Sequence, residues 1–316
     1  MGRRFFRMCM IFLLLVVPVG AEPISWVDFD VGYESLRYAL SQDIATFEQE
    51  KHISWIDSLA VAACRSGGKC PLSQVKRAVE DLKGDKEPKE LLGGLAKYYD
   101  YYHQAYSAAL GGLVGSYAIR TEDGWKASYG LKAFSPIAAG YGYSHCSDFG
   151  VSRSYGFQRK HLGNDLMGGL GTPIVAVEGG VIEAMGWNRY GGWRIGIRSF
   201  DNKRYYYYAH LQKDHPFAPG LQVGDMVDAG QLIGFMGRTG YSDRENTNNI
   251  ETVHLHFGME LVFDERQKEC NSEIWIDVYD IVRLLSSHTA SYQKKDGTWQ
   301  RSYPYQDLDI PEYPKE

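Results

Sequence analysis

Four of the nine histidines lie in three short segments of the C-terminal half of the chain. Imidazole nitrogens and carboxylate oxygens both bind zinc, and a catalytic zinc site has three protein ligands and an open position for water. A structural zinc site closes all four positions, usually with cysteines, and the three segments contain no cysteine. Their composition therefore predicts a catalytic metal site. The segments are His161-Leu162-Gly163-Asn164-Asp165, Tyr208-Ala209-His210-Leu211 and His254-Leu255-His256-Phe257.

The last segment has the alternation of a β-strand. In a strand over residues 253–262, His254 and His256 would share one face of the sheet. An isolated His-x-His pair is more often structural than metal-binding. Here His161 and Asp165 add a nitrogen and an oxygen ligand, which favours a site of two histidines and one aspartate. From the residues alone, either His254 or His256 can be the third ligand, and the other would contact the bound water or the substrate.

The elements that must position these side chains are short strands. From residue 171 to residue 262, apolar or Tyr-rich segments follow one another at short intervals, with Gly-rich turns between them. This succession of short strands and turns predicts antiparallel β-sheet rather than alternating βαβ units. The predicted strands cover residues 173–177, 181–187, 193–200, 204–211, 232–236 and 253–262.

The N-terminal half has a different periodicity. Val75, Ala78, Val79 and Leu82 recur at helical spacing, and a second periodic stretch follows Pro88. The chain is therefore predicted to have an α+β fold, in which an N-terminal helical region precedes an all-β antiparallel domain. The predicted divisions are a helical region at 22–118, a Gly-, Ser- and Pro-rich linker at 119–146, a β-rich domain at 147–285 and a polar tail at 286–316.

Residues 1–21 have the pattern of a secretion signal, with a basic start, the apolar run Met8 to Val19 and small residues at its end. This predicts an exported protein, secreted or held in the cell envelope, with no membrane span beyond the signal. The formal net charge is −5, which argues against nucleic acid as a partner. Cys64 and Cys70 flank a short turn, and a disulfide and two unpaired thiols are equally compatible with that spacing.

In this order, the motifs resemble the lysostaphin-type, or LytM-like, zinc metallopeptidases of peptidoglycan. The resemblance runs from about Ser147 to Val262. Its further motifs are Asp148-Phe149-Gly150, Arg153, Gly171-Thr172-Pro173, Gly179-Gly180, Val223-Gly224-Asp225, Ala229-Gly230-Gln231-Leu232-Ile233-Gly234 and Gly237-Arg238-Thr239-Gly240.

The resemblance implies a role for each residue of the three segments. His161, Asp165 and His256 would bind one zinc ion per chain, and His210 and His254 would be the catalytic pair that does not bind it. The sequence departs from the family in the segment Tyr241 to Thr252, which is longer and more polar than the usual Ser/Thr-Gly-Pro link. We expect this segment to border the cleft and to influence the choice of substrate.

The function implied is hydrolysis of peptide bonds in the stem or cross-bridge peptides of bacterial peptidoglycan. Two alternatives belong to other classes: a LytM-like envelope factor that activates or scaffolds other hydrolases without catalysis, and a wall-binding module whose histidines are incidental. The complete set of histidine and aspartate positions favours the enzyme. An amidase or carboxypeptidase would use the same metal chemistry and differ only in its cleft.

Overall fold

The computed structural model describes residues 24–154, 158–268 and 272–310. The predicted secretion signal and Cys270 lie outside these ranges. Within them, no helix combines the length and hydrophobicity that crossing a bilayer requires.

The helical region is built around one buried helix. Ser54 caps the N-terminus of α2 through its hydroxyl, which accepts a hydrogen bond from the Asp57 amide, and Gly67 ends the helix in the left-handed conformation. The middle of α2 is fully buried and packs against α1, α3 and α5. The α-helices of the described residues are α1 (Tyr33–Thr46), α2 (Trp55–Ser66), α3 (Leu72–Leu82), α4 (Pro88–Leu92), α5 (Tyr99–Leu110) and α6 (Tyr279–Leu285).

The remaining described chain consists of short strands and their connections, and the strands pair antiparallel. The α+β prediction is therefore confirmed. The strands are β1 (Val114–Thr121), β2 (Gly124–Leu131), β3 (Ser144–His145), β4 (Ser152–Ser154), β5 (Gln158–Lys160), β6 (Asn164–Met167), β7 (Pro173–Val175), β8 (Gly180–Asn188), β9 (Gly192–Ser199), β10 (Arg204–Ala209), β11 (Met226–Val227), β12 (Leu232–Phe235), β13 (His254–Leu261), β14 (Ile274–Ile276), β15 (Tyr292–Lys295), β16 (Thr298–Arg301) and β17 (Tyr305–Asp307).

The largest sheet carries the three histidine segments. Its strand order is β11-β8-β9-β10-β13-β6-β3, with β14 also paired to β13. On β13, Leu255, Phe257, Met259 and Leu261 are fully buried in the core. Because side chains alternate along a strand, the histidines of β13 must project from the other face.

Two segments that were expected to be irregular contain hairpins. Strands β1 and β2 cross the expected boundary at residue 118 and occupy the first half of the predicted linker. In the predicted tail, β15 and β16 are joined by Asp296 and Gly297, which both have positive φ, and β17 then pairs with β1. An Asp-Gly pair with positive φ at both positions forms the tight turn that matches the twist of a hairpin. In the other hairpin the two turn residues are Glu122 and Asp123, and Gly124 begins β2 with positive φ. An Asp-Gly dipeptide therefore occurs at both hairpins, within one turn and at the end of the other.

A buried ion-pair network joins the helical region to the sheet. Arg204 is fully buried, and its guanidinium donates to both carboxylate oxygens of Glu178, to Asp201 and to the backbone carbonyl of Ala108 in α5. Tyr206 donates a further hydrogen bond of 2.6 Å to Glu178. The charges are thus paired and hydrogen-bonded, which is the condition under which burial of an ion pair is tolerated.

Cys64 and Cys70 are both buried and are not joined by a disulfide. Burial raises the pKa of the Cys70 thiol to about 12. Of the two readings of this pair, the structure therefore has the unpaired thiols.

We expect Arg204→Met to lower the free energy of unfolding by about 3 kcal/mol or more, because the carboxylate of Glu178 would remain buried without its partner. The measurement is chemical denaturation followed by circular dichroism. The control is Arg37→Met, which removes an exposed ion pair with Glu34 and should cost less than about 1 kcal/mol. Equal losses in the two variants would contradict this role for Arg204.

Candidate metal centre

The structure brings His161, Asp165 and His256 together on one face of the large sheet. Asp165 lies on β6, directly opposite His256 on β13, and His161 precedes β6. His161 Nε2 is 2.7 Å from His256 Nδ1 and 3.0 Å from Asp165 Oδ1, and His256 Nδ1 is 3.3 Å from the same oxygen. Two imidazole nitrogens and one carboxylate oxygen at this separation fit the donor set of a catalytic zinc site.

Neighbouring groups orient two of these side chains. The backbone carbonyl of Asp148 lies 3.1 Å from His161 Nδ1 and must accept the proton there, so Nε2 has the lone pair. Arg153 donates hydrogen bonds to Asp148 Oδ2, at 2.5 Å, and to Asp165 Oδ2, at 3.0 Å. The second oxygen of Asp165 thus remains directed at the histidines. Such outer partners commonly fix the orientation of metal ligands.

Gly163 is required by close packing. A Cβ at this position would lie 2.6 Å from the carbonyl oxygen of Phe257 and 2.9 Å from the ring of His256. Its φ is not positive, so the chain does not need glycine here in order to bend. Gly163 therefore allows the segment of His161 to approach β13.

The two remaining histidines lie beside the three. The ring centroids of His210 and His254 are 4.8 Å apart, and His254 Nε2 is 3.7 Å from Asp165 Oδ1. Each Nδ1 is 2.9 Å from a backbone carbonyl, of Thr239 and Thr252 respectively. Since a carbonyl only accepts, both rings have a proton on Nδ1, and the neutral form of each ring has its lone pair on Nε2. His210 also has a φ of 62°, an uncommon conformation for a residue other than glycine.

Burial and mutual contacts set the charges of the cluster. Burial acts to raise the pKa of Asp165, but its close contacts with His161 and His256 outweigh it and hold this pKa well below its usual range. Burial lowers the pKa of His210, as do the nearby His254 and His256, and burial also lowers the pKa of His256. A charged carboxylate beside neutral imidazoles is the protonation state that metal binding requires.

The cluster lies in a cleft of about 1080 Å³. Strands β9, β10 and β13 contribute the floor, and the aromatic lining includes Tyr190, Tyr207, Tyr241 and Trp275. The segment 241–252 borders the cleft through Tyr241, as expected, and Asn246 in this segment accepts a hydrogen bond of 2.9 Å from the indole of Trp193.

Sequence reasoning did not identify several cleft residues. Arg159, Tyr190, Arg194 and Tyr207 follow no spacing rule, and they meet only because neighbouring strands bring them together. Alternation along β9 and β10 could have assigned Arg194 and Tyr207 to one face of the sheet, although it could not have shown which face.

The chain is similar to known proteins in this region. Residues 159–270 match the profile of peptidase family M23. The L-Ala--D-Glu endopeptidase of Bacillus subtilis (strain 168) is 41% identical over 161 residues, which are 51% of this chain and 45% of that protein. Lysostaphin of Staphylococcus simulans is 36% identical over 139 residues, 44% of this chain and 23% of that protein. The matches thus span less than half the length of either relative.

A similar fold occurs in the crystal structure of a LytM protein from Ruminococcus gnavus ATCC 29149. The two structures agree with a TM-score of 0.54, over 83% of this chain and 91% of that chain, at 23% identity. The likeness shows that the arrangement of N-terminal helices and antiparallel sheets is shared. Together with the family match, it confirms the resemblance indicated by the sequence.

We expect Gly163→Ala to lower the melting temperature by several degrees, because the added methyl group would force β13 and the segment of His161 apart at a cost of about 1–3 kcal/mol. Differential scanning calorimetry measures this change. The control is Gly94→Ala, where a Cβ would meet nothing within 4 Å. An unchanged melting temperature for Gly163→Ala would show that the two segments are not in close contact.

Proposed function

Because residues 159–270 form a domain of peptidase family M23, we propose that this protein is a zinc metalloendopeptidase that hydrolyses peptide bonds in bacterial cell-wall peptidoglycan. The observation that carries the proposal is the convergence of His161 Nε2, Asp165 Oδ1 and His256 Nδ1 in the large cleft. We assign these three residues as the zinc ligands. The protein would act outside the cell or in the envelope, as its N-terminal sequence predicts.

When bound, zinc supplies a Lewis acid and lowers the pKa of a water molecule toward about 7. The protein supplies the remaining groups. The lone pairs on Nε2 of His210 and His254 can accept the proton of the attacking water and later return it to the leaving amine. A protonated imidazole at either position would also stabilise the negative charge that develops on the carbonyl oxygen.

The substrate we propose is a stem or cross-bridge peptide. One relative is named for an L-Ala--D-Glu bond, and another, from Staphylococcus capitis, is named a glycyl-glycine endopeptidase. Both bonds lie between small or acidic residues. Because the cleft has a volume of about 1080 Å³ and an aromatic lining, it suits an extended peptide better than a single sugar.

We expect His161→Ala and Asp165→Ala each to abolish stoichiometric zinc and the release of peptides from purified peptidoglycan. Each substitution removes one of the three assigned zinc ligands, and no fourth protein ligand is assigned that could replace it. Metal analysis and mass spectrometry of the digest measure the two outcomes, with a chelator as a further control. His215→Ala, an exposed histidine of the same domain, should retain both properties.

Full lytic activity in His161→Ala would refute the site assignment. Full zinc content without any release of peptides by the unmodified protein would instead favour an envelope factor that binds metal but does not catalyse.

We expect His210→Asn and His254→Ala to retain zinc and to lose roughly 100- to 10,000-fold in turnover, the range for loss of a general acid or base. Asparagine is chosen at position 210 because it tolerates positive φ. The measurements are metal content and the rate of peptide release. Loss of zinc from His254→Ala but not from His256→Ala would reverse the assignment of the two β13 histidines.

A further inference from the structure

The lining of the cleft has five basic and four acidic side chains, a formal charge of +1 in an otherwise acidic chain, and one of the five, Arg198, is paired with Glu183. Arg153, Arg159, Lys160 and Arg194 all line the cleft together with the assigned zinc ligands, whereas the formal charge of the whole chain is −5. Arg153 is already bound to Asp148 and Asp165. The other three cations have no carboxylate within ion-pair distance among the described residues.

Strand register places Arg194 level with the metal centre. On β9, Gly196 is paired with Tyr207 of β10, so Arg194 lies two residues further along on the same face. On β10, Ala209 is likewise two residues beyond Tyr207, and it is paired with His256 of β13. Arg194 and His256 are thus separated by one strand, which corresponds to about 10 Å between their backbones. Only the methyl group of Ala209 lies between them on this face.

Arg194 differs from Arg198, its neighbour on the same face of β9, in its lack of an ion pair among the described residues, although one buried nitrogen of each side chain has no hydrogen-bond acceptor. Arg198 Nε donates a hydrogen bond of 2.8 Å to Glu183. Arg194 has no ion pair in the described part of the chain, and its Nε is buried without a hydrogen-bond acceptor. A buried donor without an acceptor costs free energy, and a bound anion would remove that cost.

Arg159, on β5, is held in a fixed orientation beside the cleft. Its guanidinium lies 5.1 Å and 5.2 Å from the ring centroids of Tyr190 and Tyr241, and it donates a hydrogen bond of 2.6 Å to the Tyr241 hydroxyl. Its Nε is also buried without an acceptor among the described residues. Stacking of this kind holds the plane of the guanidinium and leaves edge donors for a ligand.

We propose that Arg194, assisted by Arg159, binds a carboxylate of the peptide substrate, so that the preferred substrate has an acidic residue within about two residues of the scissile bond. The position relative to the scissile bond rests on the proposed function. A guanidinium fork matches a carboxylate through two parallel hydrogen bonds. The separation of about 10 Å corresponds to two or three residues of extended peptide, and the length of an acidic side chain shortens this to one or two.

The test compares two peptides that differ only in a glutamate or a glutamine beside an alanine. The unmodified protein, Arg194→Gln, Arg194→Lys and Arg189→Gln are assayed by chromatography for kcat/KM on each peptide. Arg189 is an exposed arginine of the same hairpin, paired with Asp243 outside the cleft, and it is the matched control for loss of one positive charge.

We expect the unmodified protein to prefer the glutamate peptide, and Arg194→Gln to lower kcat/KM for that peptide by roughly 10- to 100-fold, the value of a hydrogen bond to a charged group. Arg194→Gln should lower kcat/KM for the glutamine peptide by a much smaller factor, because a neutral amide oxygen accepts a weaker hydrogen bond from arginine than a carboxylate does. Arg194→Lys should show an intermediate loss, and Arg189→Gln none. An equal loss on both peptides, or no preference in the unmodified protein, would overturn the proposal.

Binding of the same peptides, measured by calorimetry with zinc-loaded protein, separates this proposal from the proposed function. Binding that depends on glutamate and on Arg194, in a protein that hydrolyses neither peptide, would support the carboxylate site and refute the peptidase. Glycerol phosphate is the second probe. If it bound at Arg194 more tightly than the glutamate peptide, the site would be for phosphate, and the proposal would be wrong.

Discussion

The candidate site depends on the register between β13 and its two neighbours. His256 is opposite Asp165 on one side and opposite Ala209 on the other. Because the side-chain period of a strand is two, a slip of one residue would turn both histidines of β13 into the core. Four fully buried apolar residues on the opposite face of β13 prevent that slip. The packing of the hydrophobic core therefore also fixes which polar side chains meet in the cleft.

Two arginines of the large sheet differ in whether their buried nitrogens all have hydrogen-bond acceptors. Arg204 has acceptors on Glu178, Asp201 and the end of α5, and its role is to hold the helical region against the sheet. Arg194 has an unsatisfied buried donor and faces a cleft. The complete hydrogen bonds of Arg204 stabilise the folded protein by themselves. The unsatisfied donor of Arg194 gains an acceptor only when a ligand is present. The same residue type thus has a structural role in one place and is available to a ligand in another.

The sequence predicted most of the features that depend on residues close together along the chain. Helical spacing indicated α3, and Gly-rich turns between short apolar segments indicated the antiparallel sheet. The hairpins β1–β2 and β15–β16 were missed because their strands are polar and partly exposed, although an Asp-Gly dipeptide lies in or directly beside each turn. The metal-centre residues could be proposed from their types and from the family resemblance. Arg194 and Arg159 could not, because their position depends on contacts between strands and loops distant in sequence.

Two glycines of the sheet make room for aromatic side chains that line the cleft. On the face that includes the histidines, Gly196 and Gly258 lie on the strands flanking Tyr207. A Cβ on Gly258 would lie 2.8 Å from the ring of Trp275, and one on Gly196 would overlap Tyr205. Both aromatic side chains therefore occupy space that a side chain at position 196 or 258 would fill, and they line the cleft beside the candidate metal centre. The candidate ligands lie at β6, β13 and the segment before β6, so the lining over Gly196 and Gly258 can differ in shape and charge without changing them.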